Sequence, residues 1–391
     1  MNDIKFERQN GNVSKTLAGE DHISGYLAYV TTLPSGFTKA EPVKVVSTID
    51  TAESLGVTSD AESWELKVLH YQLSEIFRIN PGITLYVGLF SKPTGGSYTF
   101  SEIKQLQNYS GGKIRQVAVY LGDVEMSAEH LTALQGIATT LESEDVPLSI
   151  LFAPKVTSVT DLSKDLAGAN KKNVSVIIGQ AGGGTGSTLF ADTGNVSKNS
   201  VTGIGVVLGL LSLSAVHESI GWVKKFPTGI DLPAFSDGTL FRTLDRAVVE
   251  SLDTARFLFF VTYSGLTGSY MNDSHTMDVA ISDYAMIENV RTMDKAIRGI
   301  RTYLLPELGS NLYIDEATGK MQSYTVEHLQ DVAGKALEDM AKAGEISGYS
   351  VEIDPEQNVL SSSNVEFVVK KVGVGVMRHA RVKIGYVESL S

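Results

Sequence analysis

A glycine-rich run, Gly182-Gly-Gly-Thr-Gly-Ser-Thr188, is the part of this sequence whose residue types and spacing most directly suggest a chemistry. A glycine-rich turn lets backbone N–H groups approach a phosphate, and a helix N-terminus behind it adds a favourable dipole. A P-loop that begins at Gly179 would place Lys and then Ser or Thr after Gly184, but the chain has Thr185 and Gly186 there. The run is therefore not a P-loop, because it has no ammonium group for the β- and γ-phosphates.

The same run resembles the GGGTG(S/T)G phosphate loop of the tubulin and FtsZ family, except that Thr188 replaces the last glycine. In that family the loop opens a long helix, whereas residues 192–198 read here as a loop. The sequence also has no glycine-rich nucleotide loop near its N-terminus and no paired-acid catalytic loop of the kind these polymers use. We expect an exposed surface loop at Gly182–Ser187, and we keep a nucleotide-dependent filament protein or GTPase as the alternative function.

Other catalytic and metal-binding chemistries find little support. The chain has no cysteine, which excludes disulfides, thiolate metal sites and cysteine nucleophiles, and none of its seven histidines has a partner four residues away. Four polar residues between a strand and a helix could form a hydrolase-like site: Ser264, Ser269, Asp273 and His275. The sequence, however, lacks the Gly-x-Ser-x-Gly elbow of such hydrolases. We expect a polar turn there, and we predict no enzyme activity, no cofactor and no metal.

Composition narrows the class of protein further. The 391 residues carry a formal charge of −12 and no dense basic block, which argues against binding to nucleic acid or to anionic membranes. A long uncharged run, residues 199–216, has a solidly apolar part that spans about 14 residues, where a bilayer span needs roughly 20, so we expect a buried element and no membrane insertion. The first ten residues lack the apolar stretch of a secretory signal, which predicts synthesis in the cytoplasm.

The elements that must position these residues fall into two groups. Strands alternate with amphipathic helices over about residues 40–240, which predicts a layered α/β body, and one further strand, 23–30, precedes this region. The strands within it are 43–46, 83–90, 114–121, 146–152 and 174–178, and the main helices are 61–77, 100–109, 127–143 and 161–168. A second group contains helices 281–304 and 325–343 and strands 349–353, 365–372 and 380–387. The predicted fold class is α+β overall, with an α/β N-terminal body and an α+β C-terminal domain.

The second group carries a composite signature. Its parts, in order, are Tyr270-Met-Asn-Asp-Ser-His-Thr-Met-Asp278, the end of the second helix at 340–348, the strand 351–355, and the segments 358–363, 365–375 and 378–385. This order and spacing resemble the C-terminal domain of contractile tail sheath proteins, found in myophage tails, R-type pyocins and related injection particles. The resemblance covers about 120 to 150 residues well and is greatest to a divergent bacterial branch known by a domain-of-unknown-function label.

The resemblance implies an architecture and a mechanism. It divides the chain into an N-terminal arm (1–20), an α/β outer body (21–240), a C-terminal sheath domain (241–376) and a C-terminal arm (377–391). In the family, both arms leave their own subunit and add as strands to neighbouring C-terminal domains; the expected donated residues are Ile4, Phe6, Val382, Ile384 and Tyr386. Subunits form hexameric rings stacked helically around a tail tube, and contraction driven by interface free energy forces the tube through a target envelope.

The resemblance also implies partners. These are other copies of the chain, the tail tube protein, and the baseplate and tail terminator proteins, within a phage tail or a phage-tail-like particle. One helix of the C-terminal domain contacts the tube in the family by charge complementarity. We favour helix 325–343 with its acidic residues Glu327, Asp331, Glu338 and Asp339; the alternatives are the basic residues of the preceding helix, Arg291, Lys295, Arg298 and Arg301, or two faces that are simply solvated.

Overall fold

The computed structural model describes residues 19–162 and 170–386. The expected N-terminal strand with Ile4 and Phe6, and nearly all of the expected helix 161–168, lie outside the described residues. In the part of the chain that is described, no helix has the length and apolarity to cross a bilayer.

A six-stranded sheet organises the N-terminal body. Its strands are β1 (Ser24–Val30), β2 (Val43–Val46), β3 (Leu85–Ser91), β4 (Gln116–Glu125), β5 (Ser149–Lys155) and β6 (Val174–Val176), in the order β2-β3-β1-β4-β5-β6. All neighbours pair in parallel except β2, which runs antiparallel to β3 at one edge. Every residue of β1 is buried, as expected for a central parallel strand with both faces covered.

Helices cover both faces of this sheet. The helices of the body are α1 (Ile49–Ser54), α2 (Trp64–Ile79), α3 (Glu102–Tyr109), α4 (Ala128–Ser143), α5 (Gly184–Ala191) and α6 (Ile204–Leu213). Helices α2 and α6 pack on one face and α3 and α4 on the other. Strand β4 shows the division, because Val117 and Val119 join the core under α3 and α4 whereas Ala118 joins the core under α2 and α6. Helix α6, within the long uncharged run, is buried all round.

The segment after α6 completes the body. Its first strand, β8 (Pro233–Phe235), pairs antiparallel with β7 (Gly179–Ala181), which precedes α5. After α7 (Arg246–Thr254), β9 (Phe260–Val261) pairs antiparallel with β10 (Tyr270–Met271). Leu252, Phe257 and Met277 are buried in the core under α3 and α4, so residues 246–277 pack with the body. The sequence boundary at 240/241 separates this segment from the body, and we propose on the basis of its packing that the C-terminal domain begins near residue 278.

The C-terminal domain is a helical pair with a small sheet. Helices α8 (Ile287–Leu304) and α9 (Ser323–Lys342) pack together, and α9 also contacts β11 (Gly348–Glu352), which pairs antiparallel with β12 (Val368–Val372); a short helix, α10 (Val359–Ser362), lies between these strands. Ala296, Leu337, Met340 and Ile346 form the core between the helices. The α+β fold class predicted from the sequence is confirmed.

Candidate functional site

Helix α8 carries a charged stripe that faces the protein interior. Glu288, Arg291, Lys295 and Arg298 follow one another at intervals of three, four and three residues, which places them on one face of the helix. Glu288 and Arg291 are each only 3% exposed. The basic residues of this helix were one alternative for contact with a tube, but the structure turns Arg291, Lys295 and Arg298 towards acidic and backbone partners within the chain.

The first cluster on this stripe, which we call the Asp21 cluster, holds the start of the body. Lys295 donates to Asp21 over 2.7 Å and to Glu345 over 2.6 Å, and an Arg298 nitrogen lies 3.7 Å from the second Asp21 oxygen. Burial alone would raise the pKa of Asp21, but the charge and hydrogen bond of Lys295, with the charges of Arg291 and Arg298, lower it overall. The chain segment that follows the N-terminal arm is therefore tied to α8 through ionised groups.

The second cluster, which we call the Arg378 cluster, holds the start of the C-terminal arm. The Arg378 Nε lies 2.9 and 3.0 Å from the two Asp273 carboxylate oxygens, and its Nη2 contacts Glu288 and lies 3.2 Å from the Ser274 hydroxyl. Ser274 also donates to Glu288 over 2.6 Å. Burial alone would lower the pKa of Arg378, but attraction to Glu288 and Asp273 raises it overall, so this guanidinium stays charged.

The polar turn that contains Ser264, Ser269, Asp273 and His275 takes part in structural contacts. Asp273 pairs with Arg378, and the His275 Nε2 lies 3.4 Å from Asp253. Ser269 is fully buried and donates to the backbone carbonyl of Ile230 over 2.6 Å, while Ser264 is exposed. The structure therefore does not assemble these residues into a nucleophile–base group.

Close packing explains two glycines of the glycine-rich run, and a third, Gly184, has a positive φ of 61°. A Cβ on Gly182 would lie 2.6 Å from Leu240 and 3.0 Å from Ala234, and a Cβ on Gly186 would lie 2.9 Å from the Tyr71 hydroxyl. The expected exposed loop at Gly182–Ser187 is wrong, because residues 184–187 begin helix α5, of only eight residues, and Gly186 is buried. The helix lies above a wide groove lined by Gly184, Ser187, Thr188, Ala191, Asp192 and Thr193. None of the described residues that line this groove is basic, so they offer no charge complement to a phosphate.

Side chains fill the crevice at the carboxyl ends of the central strands, where doubly wound sheets commonly bind ligands. The chain reverses its direction of strand addition at β1, and ligands of such sheets bind at the carboxyl ends of the strands beside that point. Here Lys92 follows β3 and pairs with Glu65 of α2 and with Asp123 of β4, at 2.6 Å for the latter. The remaining cavity of about 10 Å³ has room for one water molecule. This ion cluster closes the crevice and was not predicted from the sequence.

The C-terminal domain presents a strand pair whose outer edges pair with no other described strand; we call it the uncovered strand pair, although α9 contacts β11. Within the described residues β11 and β12 pair only with each other, and Val368 and Val372 of β12 are 45% and 63% exposed. Beyond them, residues 373–386 belong to no helix or strand, although their alternation predicts a strand at 380–387. Val382, Ile384 and Tyr386 are 81%, 95% and 108% exposed, respectively. Their donation to a neighbouring subunit stays a prediction, because a single chain does not test it.

The acidic residues of α9 divide into two sets. Glu327, Asp331 and Glu338 lie within about 40° of one another around the helix axis and are exposed, whereas Asp339 lies about 100° further round. Glu338 pairs with Lys342 at 2.6 Å, and Asp339 accepts a 3.0 Å hydrogen bond from the Tyr303 hydroxyl. Glu327 and Asp331 have no ion-pair partner among the described residues. The helix therefore presents an acidic stripe to its surroundings.

Two family models match the chain, and the gap between them lies at the boundary near residue 278 that the packing suggests. The model of the DUF2586 N-terminal domain matches residues 1–275, and that of the DUF2586 C-terminal domain matches residues 283–391. A relative from Haemophilus phage HP1 (strain HP1c1), named "Putative tail sheath protein", is 33% identical over 152 residues. That match covers 37% of this chain and 38% of the relative, so the chain spans well under half of that protein's length.

Two solved structures share the fold over nearly the whole chain. The helical sheath of the anti-feeding prophage in its contracted state aligns with a TM-score of 0.64 and 14% identity over 99% of both chains. The contracted sheath complex of the extracellular contractile injection system PVC aligns with a TM-score of 0.61 and 12% identity over 100% of this chain and 98% of the other. The resemblance to contractile tail sheath proteins is thereby confirmed. With both of its domains matched in order, the chain belongs to the DUF2586 family.

Proposed function

We propose that this protein is the structural subunit of a contractile tail sheath, which polymerises helically around a tail tube and contracts to drive the tube through a target envelope. One observation carries the proposal: the chain holds both an uncovered strand pair, β11–β12, and an unpaired segment of alternating apolar residues, 380–386. The relative named as a tail sheath protein and the shared fold with two contracted sheaths support it.

The uncovered strand pair supplies the chemistry of assembly. A two-stranded ribbon is marginally stable alone, and each free edge displays N–H and C=O groups that can pair with another strand. Residues 380–386 offer Val382, Ile384 and Tyr386 at a spacing of two, so all three side chains of an added strand would point to one face. Ile4 and Phe6 have the same spacing and are proposed as the strand of the N-terminal arm.

Strand addition between identical subunits explains a helical assembly. The donor segment and the acceptor ribbon are different surfaces of one chain, so the contact is head-to-tail and propagates wherever its rotation does not close a ring. We propose stacked hexameric rings that remain linked by these strands while the bodies rotate. The work of contraction then comes from additional buried interface in the shorter packing, with hydrolysis of a nucleotide playing no part.

The tail tube is the proposed partner of helix α9. Its stripe of Glu327, Asp331 and Glu338, with Asp339 nearby, would face basic groups on the tube. We favour α9 over the basic residues of α8, because Lys295 and Arg298 lie against Asp21 and Arg291 donates to Ser214. The fourth basic residue, Arg301, pairs with Asp145 at 3.0 Å. Baseplate and tail terminator proteins are proposed to hold the two ends of the sheath in a phage tail or phage-tail-like particle.

Negative-stain electron microscopy of the purified, concentrated protein without nucleotide tests this function. We expect hollow tubes of uniform diameter from the unchanged chain. The variant Val382→Asp/Ile384→Asp should remain monomeric with an unchanged circular dichroism spectrum, because both side chains are exposed in the single subunit. Ile281→Asp, which alters a 96% exposed residue away from the arms, is the matched control and should still form tubes.

Truncation provides a second test of the same assembly. Deleting residues 1–16 should leave the fold intact but abolish tubes, because the N-terminal arm is proposed to link neighbouring subunits. Tubes of normal diameter from this deletion, or from the doubly substituted C-terminal variant, would contradict strand exchange as the basis of assembly. Failure of the unchanged chain to form tubes even around its tail tube protein would contradict the proposed function itself.

A further inference from the structure

Both terminal arms begin at the same helix. The Asp21 cluster and the Arg378 cluster meet α8 at Lys295 and Glu288, seven residues and therefore about 10 Å apart along the helix axis. A separation of seven residues also returns to nearly the same face of a helix. The starting points of the two arms are thus fixed on one rigid element, at a set distance.

The Arg378 cluster has the features of a built site for a guanidinium group. Glu288 is 3% exposed and Asp273 is half-buried; two carboxylates at this depth require a cation, because an uncompensated buried charge is strongly unfavourable. Arg378 meets this need with a fork of donors that contacts Asp273, Glu288 and the Ser274 hydroxyl. Arg378 therefore compensates the charge of carboxylates in the interior, although it lies in a segment without secondary structure.

The neighbouring residues of the same segment behave differently. The segment is exposed on both sides of Arg378: residues 373–376, which follow β12, are exposed, and so are Met377, Arg381 and Lys383. Arg378 is therefore the point at which an otherwise exposed segment is attached to the body. Attachment at one point leaves residues 379–386 able to reach at most about 26 Å from it, at about 3.3 Å per residue.

We infer that Arg378 is a positioning residue that fixes where the C-terminal arm departs from the subunit, with α8 setting the distance to the departure point of the N-terminal arm at Asp21. Its importance for assembly rests on the proposed function, because a fixed departure point reduces the freedom that the arm loses when it pairs with a neighbour. The attachment itself exists in the single subunit and is testable there.

Limited digestion of the unassembled subunit with trypsin, read by intact mass, tests the attachment. In the unchanged chain we expect cleavage after Arg381 and Lys383 to precede cleavage after Arg378, whose side chain is held by the two carboxylates. The variant Asp273→Asn/Glu288→Gln keeps the shapes of both partners and removes their charges. Cleavage after Arg378 should then become about 10-fold faster or more, because it follows the population of the released segment.

A control and a second variant keep this test decisive. Glu316→Gln removes an exposed carboxylate in the loop before α9 and should leave the cleavage pattern unchanged. If the double variant fails to fold, Arg378→Lys replaces it: the charge remains but the fork is lost, and cleavage after position 378 should rise relative to cleavage after Arg381. Equal cleavage after positions 378 and 381 in the unchanged chain, or an unchanged ratio in the variants, would overturn the inference.

Electron microscopy separates this inference from the proposed function. Loss of uniform tubes in the double variant, with tubes from Glu316→Gln, supports a positioning role in assembly. Normal tubes from the double variant would overturn that role. If the unchanged chain forms no tubes with or without its tube protein, the proposed function fails, while the trypsin ratio still decides whether Arg378 anchors the arm.

Discussion

Replacement of Asp294 by Asn should stabilise the protein, and more strongly as the pH rises. Asp294 lies on α8, is 6% exposed and has no ion pair within the described residues. The charged groups that face it come from every side: Arg298 of α8, Glu142 of α4, Lys172 before β6, Arg115 before β4 and Lys371 of β12. Burial raises the pKa of Asp294 from 3.8 to about 7, more than the nearby cations lower it.

The direction of the effect follows from proton binding. Between pH 3.8 and about 7 the native state keeps the Asp294 proton while the unfolded chain loses it. The native state therefore binds more protons in this window, and its stability falls as the pH rises through it. Each pH unit is equivalent to about 1.36 kcal/mol, so the free energy of unfolding loses up to ~4 kcal/mol by pH 8 and ~2 kcal/mol by pH 5.

Thermal unfolding followed by circular dichroism at pH 5 and pH 8 measures this difference. An unfolding entropy of about 2.1 cal/mol/K per residue converts ~4 kcal/mol into a rise in Tm of about 5 °C for the Asn variant at pH 8, against about 2 °C at pH 5. Asp283→Asn, an exposed carboxylate in the loop before α8, should change Tm at neither pH by more than about 1 °C. The reasoning would be refuted if the Asp294→Asn variant were less stable than the unchanged chain at pH 8, or if it were stabilised equally at pH 5 and pH 8.

Three further predictions concern the arms, the glycine run and the tube. Asp21→Asn should lower the free energy of unfolding by about 1–3 kcal/mol at pH 7 in urea titrations; because the native pKa of Asp21 is lowered, the difference should shrink as the pH falls below 4. Gly182→Ala should destabilise by about 1–3 kcal/mol in thermal melts, whereas Gly183→Ala, whose Cβ would meet nothing nearer than 3.7 Å, should not. Glu338→Lys/Asp339→Lys should weaken binding to the tail tube in a salt-dependent way, and unchanged binding would exclude α9 from that contact.

The layered body follows from hydrophobic periods that a sequence displays directly. Strand β1 is mostly apolar and is buried throughout because it is central, and α2 buries Val68, Leu69 and Leu73 at helical spacing. The uncharged run around α6 is readable for the same reason, because a helix that is apolar on all sides must be buried. These features depend on local sequence alone, and the prediction of the α+β fold class rests on them.

The charged stripe of α8 could not be predicted in this way. Four charges at helical spacing look the same whether they face solvent or the interior, and the decision depends on partners far away in the chain. Lys295 meets Asp21 across 274 positions, and Arg378 meets Glu288 across 90 positions. The glycine run predicted an exposed loop, whereas part of it opens α5 and packs closely, because flexible loops and close packing both select glycine.

Anchoring both arms on α8 has a mechanical consequence. If the arms link neighbouring subunits as proposed, a pull along the lattice enters at Arg378, crosses about 10 Å of one helix and leaves at Asp21. The hydrogen bonds within a helix lie along its axis, so tension on this segment is shared by several of them at once. The six-stranded sheet stands outside that route. Its loops and outer helices are then free to vary in length and sequence without weakening the connection that keeps the lattice continuous during contraction.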